Sequence, residues 1–256
     1  MLALQSHVDS GISISRFRIP LPELRSNDRQ NRSWDEESNA MKREIMMGYA
    51  TYTGTKRNLA ALAAAQWRIL LTPESWRPST VKYLRHHGFR YAIDNGAWSA
   101  YQKKEEWDQE LFEKLLKKMG RDADWVALPD VVCGGISSLR RSIAWVPFVL
   151  GRTTRALIPV QDGMVDEDVQ ALLGPRIGIF VGGSTEWKLR SIPRWAALGI
   201  KRRCWVHVAR VNTKKRINLC SSVFVDSFDG TSASRFASSL PRLEMARRQL
   251  VLIGGE

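Results

Sequence analysis

The sequence has few of the residues that build metal sites and disulfide frameworks. Its three cysteines, Cys133, Cys204 and Cys220, are far apart and form no Cys-x-x-Cys pair. A closed four-ligand zinc site is therefore not expected, and no His-Glu-x-x-His segment predicts a metalloenzyme. An odd and sparse cysteine count is typical of a reducing compartment, so we expect a cytoplasmic protein without a bound metal.

Long apolar runs are also missing. The apolar stretch 60–71 is interrupted by Gln66 and Arg68, and no stretch approaches the roughly 20 residues that span a membrane. Residues 1–16 contain no basic segment followed by a long apolar one, so no signal peptide is expected. These absences predict a protein without a membrane partner.

Positive charge is the main departure from an ordinary composition. Lys and Arg total 39 against 26 Asp and Glu, which gives a formal net charge of +13. Such a field attracts polyanions, so nucleic acid is the first partner to consider. A merely basic protein is the alternative that charge alone leaves open. The apolar content of 44% is enough for a sizeable core.

The chain divides into an arm and a domain. The stretch 25–33 is polar and poor in apolar residues, which predicts that residues 1–43 form an irregular N-terminal arm or long loop. This arm either contacts a phosphate backbone or remains a solvated tail. Residues 44–256 are predicted to form a single domain.

Short β-rich segments alternate with helical patterns from residue 46 onward. About eight such units with short connections predict a (β/α)8 barrel of the TIM type with parallel strands. The later elements include a short helix at 192–197 ending at Gly199, a strand at 223–226 and a final helix at 234–249. A doubly wound open sheet is the alternative, although no Gly-x-Gly-x-x-Gly segment follows the first strand.

Polar residues and glycines follow the later predicted strands. In a (β/α)8 barrel the loops after the strands form one rim, and catalytic groups lie there. The residues expected at this rim are, in chain order, Asp94, Asn95, Asp130, Gln161, Gly182, Gly183, Arg210, Asn212 and Asp229. Several carboxylates, amides and a double glycine are thus predicted to converge on one site.

This set of residue types indicates chemistry at a sugar carbon. One carboxylate can attack an anomeric carbon while a second moves protons, as in a retaining glycosidase. Amides and backbone N–H groups beside a double glycine can bind a base edge. Each residue alone has a simpler interpretation, because an Asp at a strand end is often a helix N-cap. His207 lies among strand residues and is expected to be a packed core histidine.

The ordered set resembles the tRNA-guanine transglycosylase superfamily, and most closely its deazapurine DNA transglycosylase branch, known from phages and bacterial DNA-modification clusters. The matching blocks follow the family's order over more than half of the chain. They are Asp94-Asn95-Gly96-Ala97-Trp98, Ile158-Pro159-Val160-Gln161-Asp162-Gly163, Phe180-Val181-Gly182-Gly183-Ser184 and Val225-Asp226-Ser227-Phe228-Asp229-Gly230. They are similar to the family's Asp-Ser-Gly-Gly-Phe, Val-Gln-Gly-Gly, Ile-Gly-Gly-Leu and Val-Asp-Met-Phe-Asp-Cys segments. The segment 207–212 is typical of the DNA branch.

The resemblance implies a role for each matched residue. Asp229 matches the covalent nucleophile that attacks C1′ and releases guanine, and Asp94 matches the general acid/base. Asp130 matches the acid that binds the N1–H and exocyclic amine of guanine. Gln161 and the backbone N–H of Gly183 match donors to the O6 edge. The expected substrate-binding set is completed by Asn95, Gly182 and Arg235, the last matching an arginine near the substrate phosphates.

One departure from the family pattern affects the substrate. Typical tRNA enzymes carry a Cys-x-Cys-x-x-Cys…His zinc site after the nucleophile, whereas neither Cys nor His follows Asp229. The expected barrel therefore lacks the usual zinc-binding subdomain, and the DNA branch is favoured over the tRNA branch. For a phage-encoded protein, the compartment would be the host cytoplasm.

The remaining expectations concern the partners. Phosphate contacts are predicted for Arg210, Asn212, Lys214, Lys215 and Arg216, although the basic run 214–216 is equally consistent with a solvated charged face. A guanine in a duplex must be flipped out, or the strand must be single. Trp98 or Trp187 either stacks on the base or simply packs.

The expected co-substrate is a free 7-deazaguanine base such as 7-cyano-7-deazaguanine, with no redox cofactor or nucleotide triphosphate. Three alternatives remain open from the sequence. They are a tRNA-guanine transglycosylase, a glycosidase or nucleosidase that uses the same carboxylates with water, and a non-enzymatic basic binding module.

Overall fold

The computed structural model describes residues 45–53 and 58–249. These residues belong to the compact unit Glu44–Glu256. The predicted N-terminal arm, residues 1–43, lies outside the described residues. Within the described ranges, no helix has both the length and the apolar character needed to cross a membrane.

Eight parallel strands close into a barrel in chain order. Each strand pairs in parallel with the next, and Tyr49 of the first strand pairs with Asp229 of the last. The strands are β1 (Met47–Thr51), β2 (Arg68–Leu71), β3 (Tyr91–Ile93), β4 (Val126–Ala127), β5 (Ala156–Val160), β6 (Ile177–Val181), β7 (Val206–Val208) and β8 (Ser227–Gly230). The predicted (β/α)8 barrel is confirmed, and the open-sheet alternative is wrong.

Helices connect the successive strands and follow the last one. They are α1 (Leu59–Ala64), α2 (Pro78–His86), α3 (Ala97–Lys103), α4 (Gln109–Met119), α5 (Ile136–Leu150), α6 (Asp166–Val169), α7 (Thr185–Arg202), α8 (Lys214–Ser222), α9 (Ser232–Arg235) and α10 (Leu240–Arg248). The sequence pattern does not indicate α3, which begins at the residue after Gly96.

Strand side chains alternate between two packed layers. The outer layer lies between strands and helices and includes Phe228, whose ring lies edge-on to Trp67 at 5.5 Å. The interior layer contains Tyr49, Leu70, Ala92, Trp125, Ala127 and Leu157. Because successive side chains of a strand point to opposite faces, Ser227 and Asp229 on either side of Phe228 point into the barrel interior.

An ion-pair cluster lies at the end of the barrel opposite the rim. Asp124 accepts hydrogen bonds from Arg68 and from the hydroxyl of Tyr49, both at 2.9 Å, and it also pairs with Arg90. Asp124 and Arg90 precede their strands and Arg68 begins β2, which places the cluster at the amino-terminal ends. We call these four residues the barrel floor.

The last strand begins later than the sequence pattern indicates. The β-branched and aromatic residues of 223–226 predict a strand there, but β8 is Ser227–Gly230. Val223 instead follows the end of α8, and Phe224 has a left-handed backbone with a φ of 62°. Asp229 therefore lies within a strand and not in the loop after it.

A long helix replaces the short one expected at 192–197. The helix α7 runs from Thr185 to Arg202 and contains Pro193. Ser184 caps its start by accepting the N–H of Trp187, which offsets part of the loss of one internal hydrogen bond at proline. Gly199 does not end this helix, because it lies inside α7, where an added Cβ would collide with Val206 of β7.

The chain after β8 also differs from the single helix expected at 234–249. It forms α9, a short 3-10 turn at Ala237–Ser239, and α10. Phe236 has an extended backbone, and Pro241 lies in the first turn of α10, where its missing N–H is tolerated. These two residues divide the expected helix.

Candidate active site

A cavity of about 670 Å³ opens at the carboxyl ends of the strands. Its size is ordinary for a small-molecule site. The predicted site residues that line it are Asp94, Asn95, Asp130, Gln161, Gly182, Gly183, Arg210 and Asp229. These residues lie at or just after the ends of strands β3 to β8. Because the carboxyl ends of parallel barrel strands meet at one rim, the barrel brings the residues together.

Asp229 has both carboxylate oxygens engaged. It lies on β8 with 5% of its surface exposed. Its Oδ2 lies 3.0 Å from Nε2 of His207, and its Oδ1 accepts the backbone N–H of Arg210 at 3.2 Å. The carboxylate is therefore fixed in orientation while it remains part of the cavity wall.

His207 was expected to be a packed core residue, and the structure adds a contact with Asp229 that the sequence did not indicate. The ring is fully buried, and its Nδ1 lies 2.9 Å from the Oγ of Ser227. Burial lowers the pKa of His207 below its ordinary value, against the opposing hydrogen bond and charge of Asp229. The imidazole is therefore neutral at physiological pH.

Asp94 has a different environment from Asp229. It follows β3 and accepts a long hydrogen bond of 3.4 Å from the backbone N–H of Gly96. Burial, together with the negative charges of Asp229 and Asp130, raises the pKa of Asp94 to about 7. A carboxyl group in this state can both give and accept a proton near neutral pH.

Asp130 is held between two amides. Its Oδ1 accepts from Nδ2 of Asn95 at 2.8 Å, and its Oδ2 accepts from Nε2 of Gln161 at 2.6 Å. Burial raises the pKa of Asp130, although these two hydrogen bonds and the charge of Arg141 oppose the rise. Asp130 lines the cavity, and its predicted contact with a base stays a prediction.

The amide of Gln161 is engaged within the protein. Besides Asp130, Nε2 lies 3.0 Å from both the carbonyl oxygen of Val131 and the hydroxyl of Ser138, and Oε1 accepts the N–H of Gly134 at 3.1 Å. In this arrangement Gln161 positions Asp130 and the loop after β4. Its contact with a base stays a prediction, because the amide of Gln161 would have to exchange one of these protein partners for the base.

The double glycine forms a tight loop after β6. Gly183 has a left-handed backbone with a φ of 69°. An added Cβ there would lie 2.5 Å from Oδ2 of Asp162 and 2.8 Å from Cε3 of Trp187. Asp162 in turn accepts from both the N–H and the hydroxyl of Ser184. A glycine is therefore required at 183 by conformation and by space.

Arg210 connects three parts of the rim. Its backbone is left-handed, with a φ of 58°, and its N–H donates to Asp229. Its guanidinium donates to the carbonyl oxygen of Gly183 and lies 4.2 Å from the ring centroid of Trp98. Trp98 stacks on Tyr101 with centroids 5.8 Å apart, and 37% and 54% of these residues are exposed.

Lys188 is a buried cation near the site that the sequence did not indicate. It lies on α7 with 1% of its surface exposed, and its Nζ donates to the carbonyl oxygen of Ala209. Burial, aided by the charge of Arg210, lowers the pKa of Lys188 to about 8, and the negative charge of Asp229 opposes this. It brings positive charge close to the nucleophile candidate.

Five predicted residues lie outside the cavity. Asn212 accepts the N–H of Ser232 at 3.0 Å and so holds the start of α9. The others are Lys214 and Lys215, which are exposed at the start of α8, Arg216, which is partly buried there, and Arg235, which is exposed at the end of α9. Because α8 begins after β7, Lys214 and Lys215 at its start lie on the rim side of the barrel.

The described residues, 45–53 and 58–249, contain no group of three or more His, Cys, Asp or Glu residues arranged to hold a metal ion. What the cavity offers is two carboxyl groups in unlike environments, a third held by amides, and a glycine loop. This arrangement suits nucleophilic attack combined with proton transfer.

Comparison with protein-family models and with curated proteins gives no match for this chain.

Proposed function

We propose that this protein is a DNA-guanine transglycosylase, which exchanges guanine in DNA for a 7-deazaguanine base such as 7-cyano-7-deazaguanine. The observation that carries the proposal is the presence of two unlike carboxyl groups in one cavity. Asp229 has a hydrogen-bond partner at each oxygen, Nε2 of His207 and the backbone N–H of Arg210, whereas the pKa of Asp94 is raised to about 7. The first is suited to attack a carbon and the second to carry a proton.

The first half-reaction releases guanine. An oxygen of Asp229 attacks C1′ of the target nucleotide as the bond from C1′ to N9 breaks, and the electron pair of that bond leaves with the base. Protonated Asp94 donates its proton to the departing guanine. The products are free guanine and an aspartyl–sugar ester. In retaining glycosidases, likewise, one carboxyl group is the nucleophile and the other is the acid.

The second half-reaction installs the new base. The incoming 7-deazaguanine gives its N9 proton to the carboxylate of Asp94, and N9 attacks C1′. The ester bond breaks and its electron pair returns to Asp229. Two inversions give net retention, and both carboxyl groups return to their starting protonation states. No redox cofactor or nucleotide triphosphate takes part.

The rest of the cavity supports recognition of a purine. Asp130 is a carboxylate on the cavity wall that can accept from the N1–H and the exocyclic amine of guanine. The loop of Gly182 and Gly183 lets backbone N–H groups approach an O6 edge closely. Trp98 lines the cavity with 37% of its surface exposed, and its ring can stack on a flipped or unpaired base once the guanidinium of Arg210 moves away from it.

A nucleic acid is favoured as the polymer by charge. The net charge of +13 attracts a phosphate backbone. Lys214 and Lys215 are exposed at the start of α8, and Arg235 is exposed at the end of the short helix α9, so these side chains can contact phosphates beside the target nucleotide. The resemblance of the segment 207–212 to the DNA branch favours DNA over tRNA.

A base-exchange assay tests the proposal. The full chain is incubated with labelled 7-cyano-7-deazaguanine and, in parallel, duplex DNA, single-stranded DNA or tRNA. We expect label in DNA, with one guanine released for each base incorporated. Asp229→Asn and Asp94→Asn should each lower the rate by about 1,000-fold or more, whereas Asp122→Asn, which removes an exposed carboxylate outside the cavity, should not.

The other outcomes identify the alternatives. Label in tRNA alone would assign the protein to the tRNA branch. Release of guanine without incorporation of label would indicate a hydrolase in which water resolves the ester. If no polymer releases guanine or incorporates label, the proposal of a transglycosylase is contradicted.

A further inference from the structure

A chain of hydrogen bonds leads through the barrel interior to Asp229. Nε1 of Trp205 donates to Oγ of Ser227 at 2.8 Å, and this Oγ lies 2.9 Å from Nδ1 of His207. Nε2 of His207 lies 3.0 Å from Oδ2 of Asp229. The barrel register creates this chain, because His207 pairs with Ser227 across β7 and β8. Ser227 and Asp229 are two residues apart and share the interior face.

One arrangement of hydrogens satisfies every group in this chain. The proposed role of Asp229 as nucleophile requires a carboxylate, which only accepts hydrogen bonds, so Nε2 of His207 is the donor. A neutral ring then has a bare Nδ1, which accepts the hydroxyl proton of Ser227. The Oγ of Ser227 is left with a lone pair for the N–H of Trp205. Burial and the nearby charge of Lys188 both favour the neutral ring.

Aromatic packing prevents the ring of His207 from turning. Phe180 stacks on it with centroids 5.0 Å apart and an interplanar angle of 25°. The ring centroid of Trp125 lies 4.4 Å from that of His207. The ring of Tyr49 lies edge-on to His207, with the two centroids 5.8 Å apart. The two ring nitrogens therefore keep their partners, and the direction of the Nε2–H bond is set by the barrel wall.

We propose that His207 is a positioning residue for the nucleophile, held as the neutral Nε2–H tautomer by Ser227, and that it fixes the carboxylate of Asp229 during attack and ester formation without transferring a proton. This inference rests on the proposed function for the role of Asp229. A neutral donor orients the carboxylate but leaves its negative charge intact. An imidazolium would stabilise the free carboxylate more than the ester and so slow the attack.

The tautomer is measured directly by nitrogen NMR of the full chain with ring-labelled histidine. The sequence has four histidines, and loss of one set of signals in His207→Gln identifies those of His207. At about pH 6.5, where an ordinary imidazole is half protonated, we expect a neutral ring with the proton on Nε2. A proton on Nδ1, or an imidazolium at this pH, would overturn the proposal. This measurement requires no catalysis, so its result does not depend on whether the proposed function is correct.

The positioning role is measured by the rate of covalent complex formation with DNA. His207→Met keeps a side chain of similar size without the donor, and we expect the rate of covalent complex formation to fall by about 10- to 100-fold. In the base-exchange assay, the KM for 7-deazaguanine should be unchanged. His207→Gln, which restores an N–H donor, should recover most of the rate. Ser227→Ala should lower the rate and give a mixture of tautomers in the NMR spectrum.

Tyr91→Phe is the matched control, because it removes a buried hydrogen bond, from the tyrosine hydroxyl to the carbonyl oxygen of Met119, at a residue that does not line the cavity. It should retain the wild-type rate. A rate for His207→Met equal to that of Tyr91→Phe would overturn the positioning role. If the wild-type protein forms no covalent complex with any nucleic acid, the proposed function fails, and the NMR result alone decides the state of His207.

Discussion

Asp94 and Asp229 show how surroundings separate two residues of the same type. Each oxygen of Asp229 has a hydrogen-bond partner, Nε2 of His207 at Oδ2 and the backbone N–H of Arg210 at Oδ1. Asp94 accepts one long hydrogen bond from Gly96 and is subject to the negative charges of Asp229 and Asp130. Asp94 can therefore hold a proton near neutral pH beside Asp229, as the proposed base exchange requires.

The rate of guanine release should depend on the protonation of Asp94. Its pKa is raised to about 7, so the protonated fraction falls as the pH rises through that value. We expect the single-turnover rate of guanine release to fall about tenfold for each pH unit above the pKa. The measurement is quenched release of labelled guanine from DNA across this range. A rate that stays constant from about pH 6 to about pH 9 would contradict Asp94 as the acid.

Asp94 should also make the fold less stable at higher pH. With a folded pKa of about 7 against an ordinary 3.8, the folded protein holds a proton that the unfolded chain has lost between these values. Stability therefore falls as pH rises through this window. Asp94→Asn should raise the unfolding free energy by about 1–4 kcal/mol at about pH 8 and leave it unchanged at about pH 3. Urea denaturation at both pH values measures this, and an equal effect at both would contradict it.

At the scale of elements, the loop after β6 shapes one wall of the cavity. Gly183→Ala places a Cβ in a left-handed backbone and against Asp162 and Trp187. We expect the KM for 7-deazaguanine to rise by about tenfold or more, because a shift of the loop of about 1 Å misplaces the backbone N–H groups that are proposed to bind the base.

Gly163→Ala is the matched control for this loop. Gly163 has a φ of 85°, and an added Cβ there has no neighbour within 4 Å. The two substitutions share the backbone strain, but Gly183→Ala adds the collision. Steady-state kinetics that show the same KM for both variants would mean that backbone strain alone, and not the collision, determines the effect.

The sequence predicted most of the rim because its strands end in recognisable ways. Asp94 follows β3 directly, and Gln161 and Gly182 follow β5 and β6, whose bounds match the sequence pattern. Strand alternation and short connections determine such positions. The barrel then brings these residues to one end whatever lies between them.

The sequence did not predict His207 and Lys188 as neighbours of Asp229. The strand assigned to 223–226 placed Asp229 in a loop, whereas tertiary pairing with β1 and β7 makes Ser227–Gly230 the strand. With the later strand, alternation alone would have directed Ser227 and Asp229 inward beside His207. Similarly, Lys188 joins the buried stripe of α7 with Ile192 and Trp195, a pattern concealed by the short helix assigned at 192–197.

At the scale of the whole molecule, the two ends of the barrel differ in structure. The rim carries the cavity, whereas the barrel floor holds Asp124 between Arg68 and Arg90. The side chain of Asp124 is 4% exposed, so its removal leaves a poorly solvated positive charge at Arg68. The ion pairs of the floor therefore contribute stability at the end of the barrel opposite the cavity.

Asp124→Ala should separate stability from activity. We expect a loss of about 3–5 kcal/mol in unfolding free energy, because one partner of a buried ion pair is removed, with an unchanged rate per folded molecule. The control is Asp122→Ala, which breaks the exposed pair with Arg85 and should cost about 1 kcal/mol or less. Chemical denaturation and activity assays on both variants measure this. Equal stability losses would contradict the role of the floor.

The proposed exchange of two bases predicts an intermediate that can be observed. A covalent complex should accumulate when DNA is present without a 7-deazaguanine base, because no incoming base then displaces the ester. Tryptic digestion places Asp226 and Asp229 in one peptide, residues 217–235. Fragmentation of that peptide distinguishes the two carboxylates.

The most direct measurement is therefore mass spectrometry of the protein quenched with guanine-containing DNA and digested with nuclease and trypsin. The predicted result is a sugar adduct on Asp229, formed with an equal amount of free guanine and removed when 7-cyano-7-deazaguanine is added and enters the DNA. An adduct on any other residue, or base exchange that proceeds without an adduct, would contradict Asp229 as the covalent nucleophile.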